Sequence, residues 1–345
     1  MIARFRSLVA LAPGPNRVQL LTRFQSVIAL GVVLLGLSIA SGSWTSLVNF
    51  WSRFLTVDNG LTVLRQISIN LCLSIGMTVV ILSGGIDLSV GSVLALASAM
   101  AAGLLKSGVA LPAFGVVLEP TVLGTVIIGM AVGLALGWFN GAMITWFRLP
   151  PFIATLSMMG IARGLTMLWT RGANIPDLGD AFGFLGTGKF LGIPMLVWIS
   201  AVLAGVFAFI MRRTCFGRFV YAVGGNEKAA KLSGIYVNKI KRWVYTIGGG
   251  MAGVAGLLLA SQLNAATPNA GTSYELDSIA AVVIGGTSLS GGRGSIVGTV
   301  LGCLIIGVLN NGLDLQNVPS DWQKVVKGFV IYLAVAIDQL GRKSD

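Results

Sequence analysis

The sequence predicts an all-α polytopic membrane protein, a bundle of about ten transmembrane helices with both termini in the cytoplasm. Three observations lead there. Only 10% of the 345 residues are charged, against about 25% in a soluble domain, too few to coat a water-facing surface. Mean hydropathy is +0.86, and the charged and Pro/Gly-rich breaks divide the chain into ten apolar stretches, most near the ~20 residues that cross a bilayer. The net charge of +12 sits in three segments. Arg4, Arg6, Arg17 and Arg23 give +4 at the start. Residues 212–242 give +7, with Glu227 opposing Arg212, Arg213, Arg218, Lys228, Lys231, Lys239, Lys241 and Arg242. Arg342, Lys343 and Asp345 give +1 at the end. Lys and Arg are retained on the cytoplasmic side of short loops. Ten spans place all three segments there.

Taken in order, residues 1–23 form a cytoplasmic tail and 24–340 one transmembrane domain. The first stretch, 24–43, ends at Ala40-Ser41-Gly42, a small-residue pattern also found at signal-peptide cleavage sites. Its long basic lead and the nine stretches that follow favour an uncleaved span. Trp44, Phe50, Trp51 and Phe54 then suit a segment lying in the outer interface, where amphipathic rings sit at headgroup level. Spans follow at 67–83, 90–107, 121–142, 151–170 and 193–211, with an outer loop at 171–192. After the basic loop 212–242 come 243–261, 278–290, 296–313 and 325–340, and a short tail, 341–345.

Two of these boundaries are unusual. Gly84-Gly85-Ile86-Asp87-Leu88-Ser89-Val90-Gly91 and Gly285-Gly286-Thr287-Ser288-Leu289-Ser290-Gly291-Gly292 both read Gly-Gly-x-x-Leu-Ser-x-Gly. Glycine runs resist continuous helix, and unwound backbone at membrane depth needs protein or a cavity around it. Broken segments in corresponding places mark transport pathways. Gly84, Gly85, Asp87, Gly285 and Gly286 are therefore candidates for a polar passage between two copies of the chain, a passage expected to hold few charges and no buried ion pair. Chance similarity in a glycine-rich chain is the alternative. Asp87 and Asp277 also suit helix capping, and Arg163 stands well inside its span. Asn310 and Asn311 suit sugar hydroxyls and, equally, contacts between helices.

Composition removes most chemistry. Histidine is absent, and Cys72, Cys215 and Cys303 have no paired spacing, which leaves no imidazole base and no Cys/His metal site. No catalytic constellation emerges. Leu289-Ser290-Gly291-Gly292-Arg293 looks like the signature peptide of an ATP-binding cassette ATPase. However, the phosphate-gripping loop G-x-x-x-x-G-K-[ST] is missing: only Lys189 directly follows a glycine, and Phe190 comes next. ATP and Mg would have to be used by a partner. The basic loop lies between spans without interleaved aromatics, a poor nucleic-acid footprint.

That loop carries the richest pattern. After Gly224-Gly225-Asn226, residues 226–233 can form a short helix stopped by Gly234. A loop that only fixed topology would need charge, not a Gly-Gly-Asn entry, the small Ala229 and Ala230, and a Gly-Ile exit. Glu227-x-Ala229-Ala230-x-x-x-Gly234 resembles the cytoplasmic docking loop of bacterial ABC importer permeases, although Lys228 interrupts the Glu-Ala-Ala run. Gly84 to Gly91, Tyr221 to Glu227, Gly234 to Lys241, Tyr274 to Leu289 and Leu309-Asn310-Asn311-Gly312-Leu313 are similar to the simple-sugar branch of that family, over roughly residues 25–340. The resemblance implies a bacterial inner-membrane permease for ribose or a similar monosaccharide. It also implies a second permease copy or a related permease, a cytoplasmic ATPase docked on Gly225, Asn226, Glu227, Ala229, Ala230 and Gly234, and a periplasmic sugar-binding protein. The other reading is an ion-coupled secondary transporter, which wants carboxylates within spans. Of these only Asp87 comes close.

Overall fold

The computed structural model describes residues 44–111, 116–118 and 120–342. The tail 1–23, the stretch 24–43 and residues 343–345 lie outside the described residues. Thirteen described helices follow one another: α1 (Trp44–Phe54), α2 (Val57–Leu82), α3 (Val90–Ser107), α4 (Val122–Trp146), α5 (Pro151–Thr170), α6 (Asp180–Thr187), α7 (Met195–Arg213), α8 (Cys215–Gly225), α9 (Glu227–Leu232), α10 (Val237–Leu263), α11 (Tyr274–Ile284), α12 (Ile296–Leu315) and α13 (Ser320–Arg342). Three antiparallel two-stranded ribbons join loop segments: 109–111 with 116–118, 175–176 with 265–266, and 189–190 with 193–194. The chain is an all-α polytopic bundle.

Seven described helices, α2, α3, α4, α5, α7, α10 and α12, are long and apolar enough to cross a membrane. Those at 90–107 and 151–170 keep their expected bounds. Two others begin earlier than hydropathy indicates, α2 at Val57 and α10 at Val237. Their N-terminal segments carry charged residues (Asp58 and Arg65; Lys239, Lys241 and Arg242) that an apolar window discounts. The stretch 278–290 is a half-length helix, α11, which begins at Tyr274, so Asp277 lies in its first turn and does not precede it. Irregular backbone occupies 83–89 and 285–295, where the glycine strings predict breaks.

Buried α10 forms the centre, against α4, α2 and α3. Its contact with α4 is built on glycine. Gly129, Gly133, Gly137 and Gly141 recur every fourth residue and so share one face of α4. An added Cβ at Gly133 would overlap the Gly249 carbonyl oxygen and stand 3.0 Å from Gly253 Cα. At Gly137 it would overlap the Tyr245 carbonyl, and at Gly141 it would come within 2.8 Å of Arg242 Cα. Small residues let helix backbones approach, which drives association where lipid is as apolar as the side chains.

Polar cross-links complete the bundle. Thr78 and Thr299 join α2 to α12 through hydroxyls 2.6 Å apart. Trp169 Nε1 donates to the Ala99 carbonyl at 3.0 Å. Arg163 has a plain use: its guanidinium donates to the carbonyls of Pro268 and Ala270 at 2.7 and 2.9 Å, holding the loop after α10 against α5.

Candidate functional site

The segment after α7 folds as a helical hairpin. Thr214 caps α8 and Asn226 ends it in extended conformation (φ −158°, ψ 100°). Asn226 then starts α9, its Oδ1 accepting from Ala229 N at 3.0 Å. Gly234 closes α9 at φ +84°. The amides of Gly234 and Ile235 both turn back to α9, onto the carbonyls of Lys231 and Ala230 at 3.1 Å, a paired closure that needs the left-handed conformation. Ala230 is buried and Ala229 exposed. Glu227 accepts from Lys241 Nζ at 2.7 Å, tying α9 to the first turns of α10. Leu232 and Tyr236 are 89% and 82% exposed; composition gave no cue to either, since apolar residues within a basic loop read as filler.

The end of α8 meets both glycine strings. Gly292 N donates to the Leu82 carbonyl at 3.0 Å, joining the loop after α11 to the end of α2. Gly224 fills the same corner: a Cβ there would overlap the Leu82 oxygen and stand 2.7 Å from Gly292 N. One added at Gly291 would lie 2.8 Å from Gly84 N and 2.9 Å from the Gly224 oxygen, and one at Gly292 would lie 2.7 Å from Gly225 Cα. Tyr221 donates its hydroxyl to the Gly294 carbonyl at 2.8 Å, and burial pushes its phenol further up from the ordinary value. Of the predicted residues, Gly225 from the docking set and Gly84 from the pathway set thus meet at one backbone junction.

The remaining pathway candidates have separate settings. Gly85 is buried against the Tyr245 hydroxyl, and Gly285 lets α11 cross α12 at Gly298. Asp87 is buried and accepts from the amide and hydroxyl of Ser89 at 2.9 and 2.6 Å, bracing the turn into α3, while Asn140 donates to the same hydroxyl at 3.0 Å. Asn311 exchanges both halves of its amide with Asn59, at 2.8 and 2.9 Å, which is the helix-to-helix use of an asparagine.

Asn310 lines a cavity of about 350 Å³ among α2, α10, α11, α12 and α13. Its wall includes Gln66, Asn70, Gln262 and Tyr274. It also holds an ion pair that the sequence does not anticipate, Asp277 with Lys327 at 3.0 Å, their side chains 14% and 23% exposed. Neither glycine string reaches it. Along α2, Asn70 at the cavity and Leu82 at the junction are about 18 Å apart at 1.5 Å per residue. No group of side chains able to hold a metal ion occurs among the described residues.

Residues 59–335 match the model of the branched-chain amino acid transport system / permease component family. The ribose import permease protein RbsC of Bacillus subtilis is 52% identical over 289 residues, 83% of this chain and 86% of the relative. The protein of the same name from Escherichia coli K12 is 46% identical over 290 residues, 83% and 87%. The xylose transport system permease protein XylH of Haemophilus influenzae is 34% identical over 378 residues, 92% and 96%. No solved structure matches.

Proposed function

The chain belongs to the branched-chain amino acid transport system permease component family, and from that premise we propose that it is the membrane permease of an ATP-driven importer of ribose or a similar simple sugar. It sits in the bacterial inner membrane as ten spans, 24–43 first and α11 and α13 completing the count, with surrounding lipid and both termini cytoplasmic. A reporter fused after Gly225 is expected in the cytoplasm and one near Asp180 in the periplasm; the reverse at either site refutes the count.

One observation carries the mechanism: α8 ends wedged between the two glycine loops, while α9 and the turn that follows it expose Leu232 and Tyr236. In the proposed cycle a periplasmic binding protein delivers sugar, and a cytoplasmic ATPase that binds ATP and Mg grips α9 through Gly225, Asn226, Glu227, Ala229, Ala230 and Gly234. Closure of the ATPase moves α8, and α8 moves the loops at Gly84–Asp87 and Gly285–Gly286 together. These loops border the inner end of a passage between two permease copies, with Asn310 toward the outer side of the chain's own bundle and Asn311 fixing α12 to α2. The permease needs no cofactor of its own.

Gly234→Val tests the grip. No neighbour lies within 4 Å of the added Cβ, so only the φ of +84° is penalised, by about 1–2 kcal/mol. The chain should insert and assemble normally, while ATPase stimulation by sugar-loaded binding protein falls severalfold. Unchanged stimulation would reduce α9 to an anchor. Uptake that survives ATP depletion and collapses with an uncoupler would favour an ion-coupled carrier instead.

A further inference from the structure

We propose that the cavity lined by Asn310 is a docking site for a neutral monosaccharide within each single chain, distinct from any passage formed between two copies. This rests on the importer reading and goes beyond it, since transfer through a passage needs no site of its own.

Size, chemistry and position agree. A volume of about 350 Å³ falls within the range of small-molecule sites, roughly 300–1,000 Å³. The amides of Gln66, Asn70, Gln262 and Asn310 each offer donors and an acceptor, the pattern that hydroxyls alternating as donor and acceptor require. Ile67 and Leu259 supply apolar wall for the C–H face of a sugar ring. The wall has no free cation: Lys327 is engaged by Asp277, and Asp314, which accepts from Gln323 at 2.9 Å, adds a negative charge, so nothing there waits for a phosphate or carboxylate.

One atom asks for a ligand. Asn310 Oδ1 is fully buried and has no hydrogen-bond partner, whereas neighbouring Asn311 is fully paired. Buried polar atoms are almost always satisfied, and an orphan acceptor is costly. A sugar hydroxyl supplies the missing donor once the Asn310 amide turns toward the cavity that the residue lines. The site also lies at the opposite ends of α2, α11 and α12 from the glycine junction, so a sugar held there and an ATPase that moves α8 act on the same three helices.

The test uses the full chain in nanodiscs, without its partners, and its melting temperature with saturating ribose, xylose or ribose 5-phosphate. Both neutral pentoses should raise it and the phosphate should not. Asn310→Leu removes the orphan atom at similar volume, so the sugar-free melting temperature should hold or rise while ribose binds about tenfold more weakly. Gln262→Leu should weaken it in the same direction. Equal stabilisation of wild type and Asn310→Leu, preference for the phosphate, or no shift with either pentose overturns the proposal. Sugar-stimulated ATPase activity of the assembled complex separates the two readings. If stimulation is intact while the cavity is indifferent to sugar, the docking site alone is wrong; if no sugar stimulates the complex, the importer reading is wrong.

Discussion

Gly224→Val is expected to cut sugar-stimulated ATP hydrolysis by the assembled importer at least tenfold. The added Cβ overlaps the Leu82 carbonyl oxygen and stands 2.7 Å from the amide that this oxygen accepts, Gly292 N. None of these is the end of a flexible side chain, so α8 has to move away from both loops at once. Backbone shifts of this kind cost roughly 1–3 kcal/mol, and here the cost falls where the end of α8 meets both loops. Gly205→Val, on α7, is the matched control, because its Cβ meets open space; its stimulation should stay within about twofold of wild type, a surface effect within ±0.5 kcal/mol. The ratio of stimulated to basal hydrolysis is the measurement. Equal ratios for the two variants would mean that movement reaches the membrane by another route.

The second large effect is on stability. Gly133→Leu or Gly137→Leu drives a side chain into the backbone of α10, at Gly249 and Gly253 or at Tyr245 and Gly249. Each should lower the detergent melting temperature and the amount of protein recovered from membranes. Gly160→Leu should not, because no atom lies within 4 Å of its Cβ. Over-packing at one crossing costs roughly 1–3 kcal/mol, and α10 touches so many neighbours that the loss spreads to α2 and α3. A Gly133→Leu protein as stable as Gly160→Leu would mean that α4 and α10 are not packed backbone to backbone.

Local features were readable from sequence because their causes are local. Helix breaks at the glycine strings and α9 with its Asn226 start and Gly234 stop depend on a few adjacent residues, and they appear where expected. Edges misled wherever polarity and helicity part company, as at Val57 and Val237. The ladder of Gly129, Gly133, Gly137 and Gly141 was visible as a four-residue period and went unread, since periodicity shows a sticky face but not its partner. Contacts far apart in sequence were out of reach. Nothing near Asn311 points to Asn59, 252 residues away, and nothing in three separate glycine pairs says that they converge. Sequence similarity between the two strings does not reveal that the end of α8 stands between them.

The pairing of α4 with α10 also sets an order of events during biosynthesis. α4 ends at Trp146 and α10 at Leu263, so the ribosome still has 117 residues to add after α4 is complete. At about 5–20 residues per second, that is roughly 6–23 s. Throughout that interval the glycine face of α4 has no partner, and α5 and α7 emerge ahead of the helix it needs. A bare glycine stripe survives the wait because acyl chains fill a smooth groove without stranding a polar side chain. The same smoothness invites pairing with the wrong helix. The centre of the bundle is therefore its late-arriving piece, and a pause in translation before Leu263 prolongs the vulnerable state more than one after it.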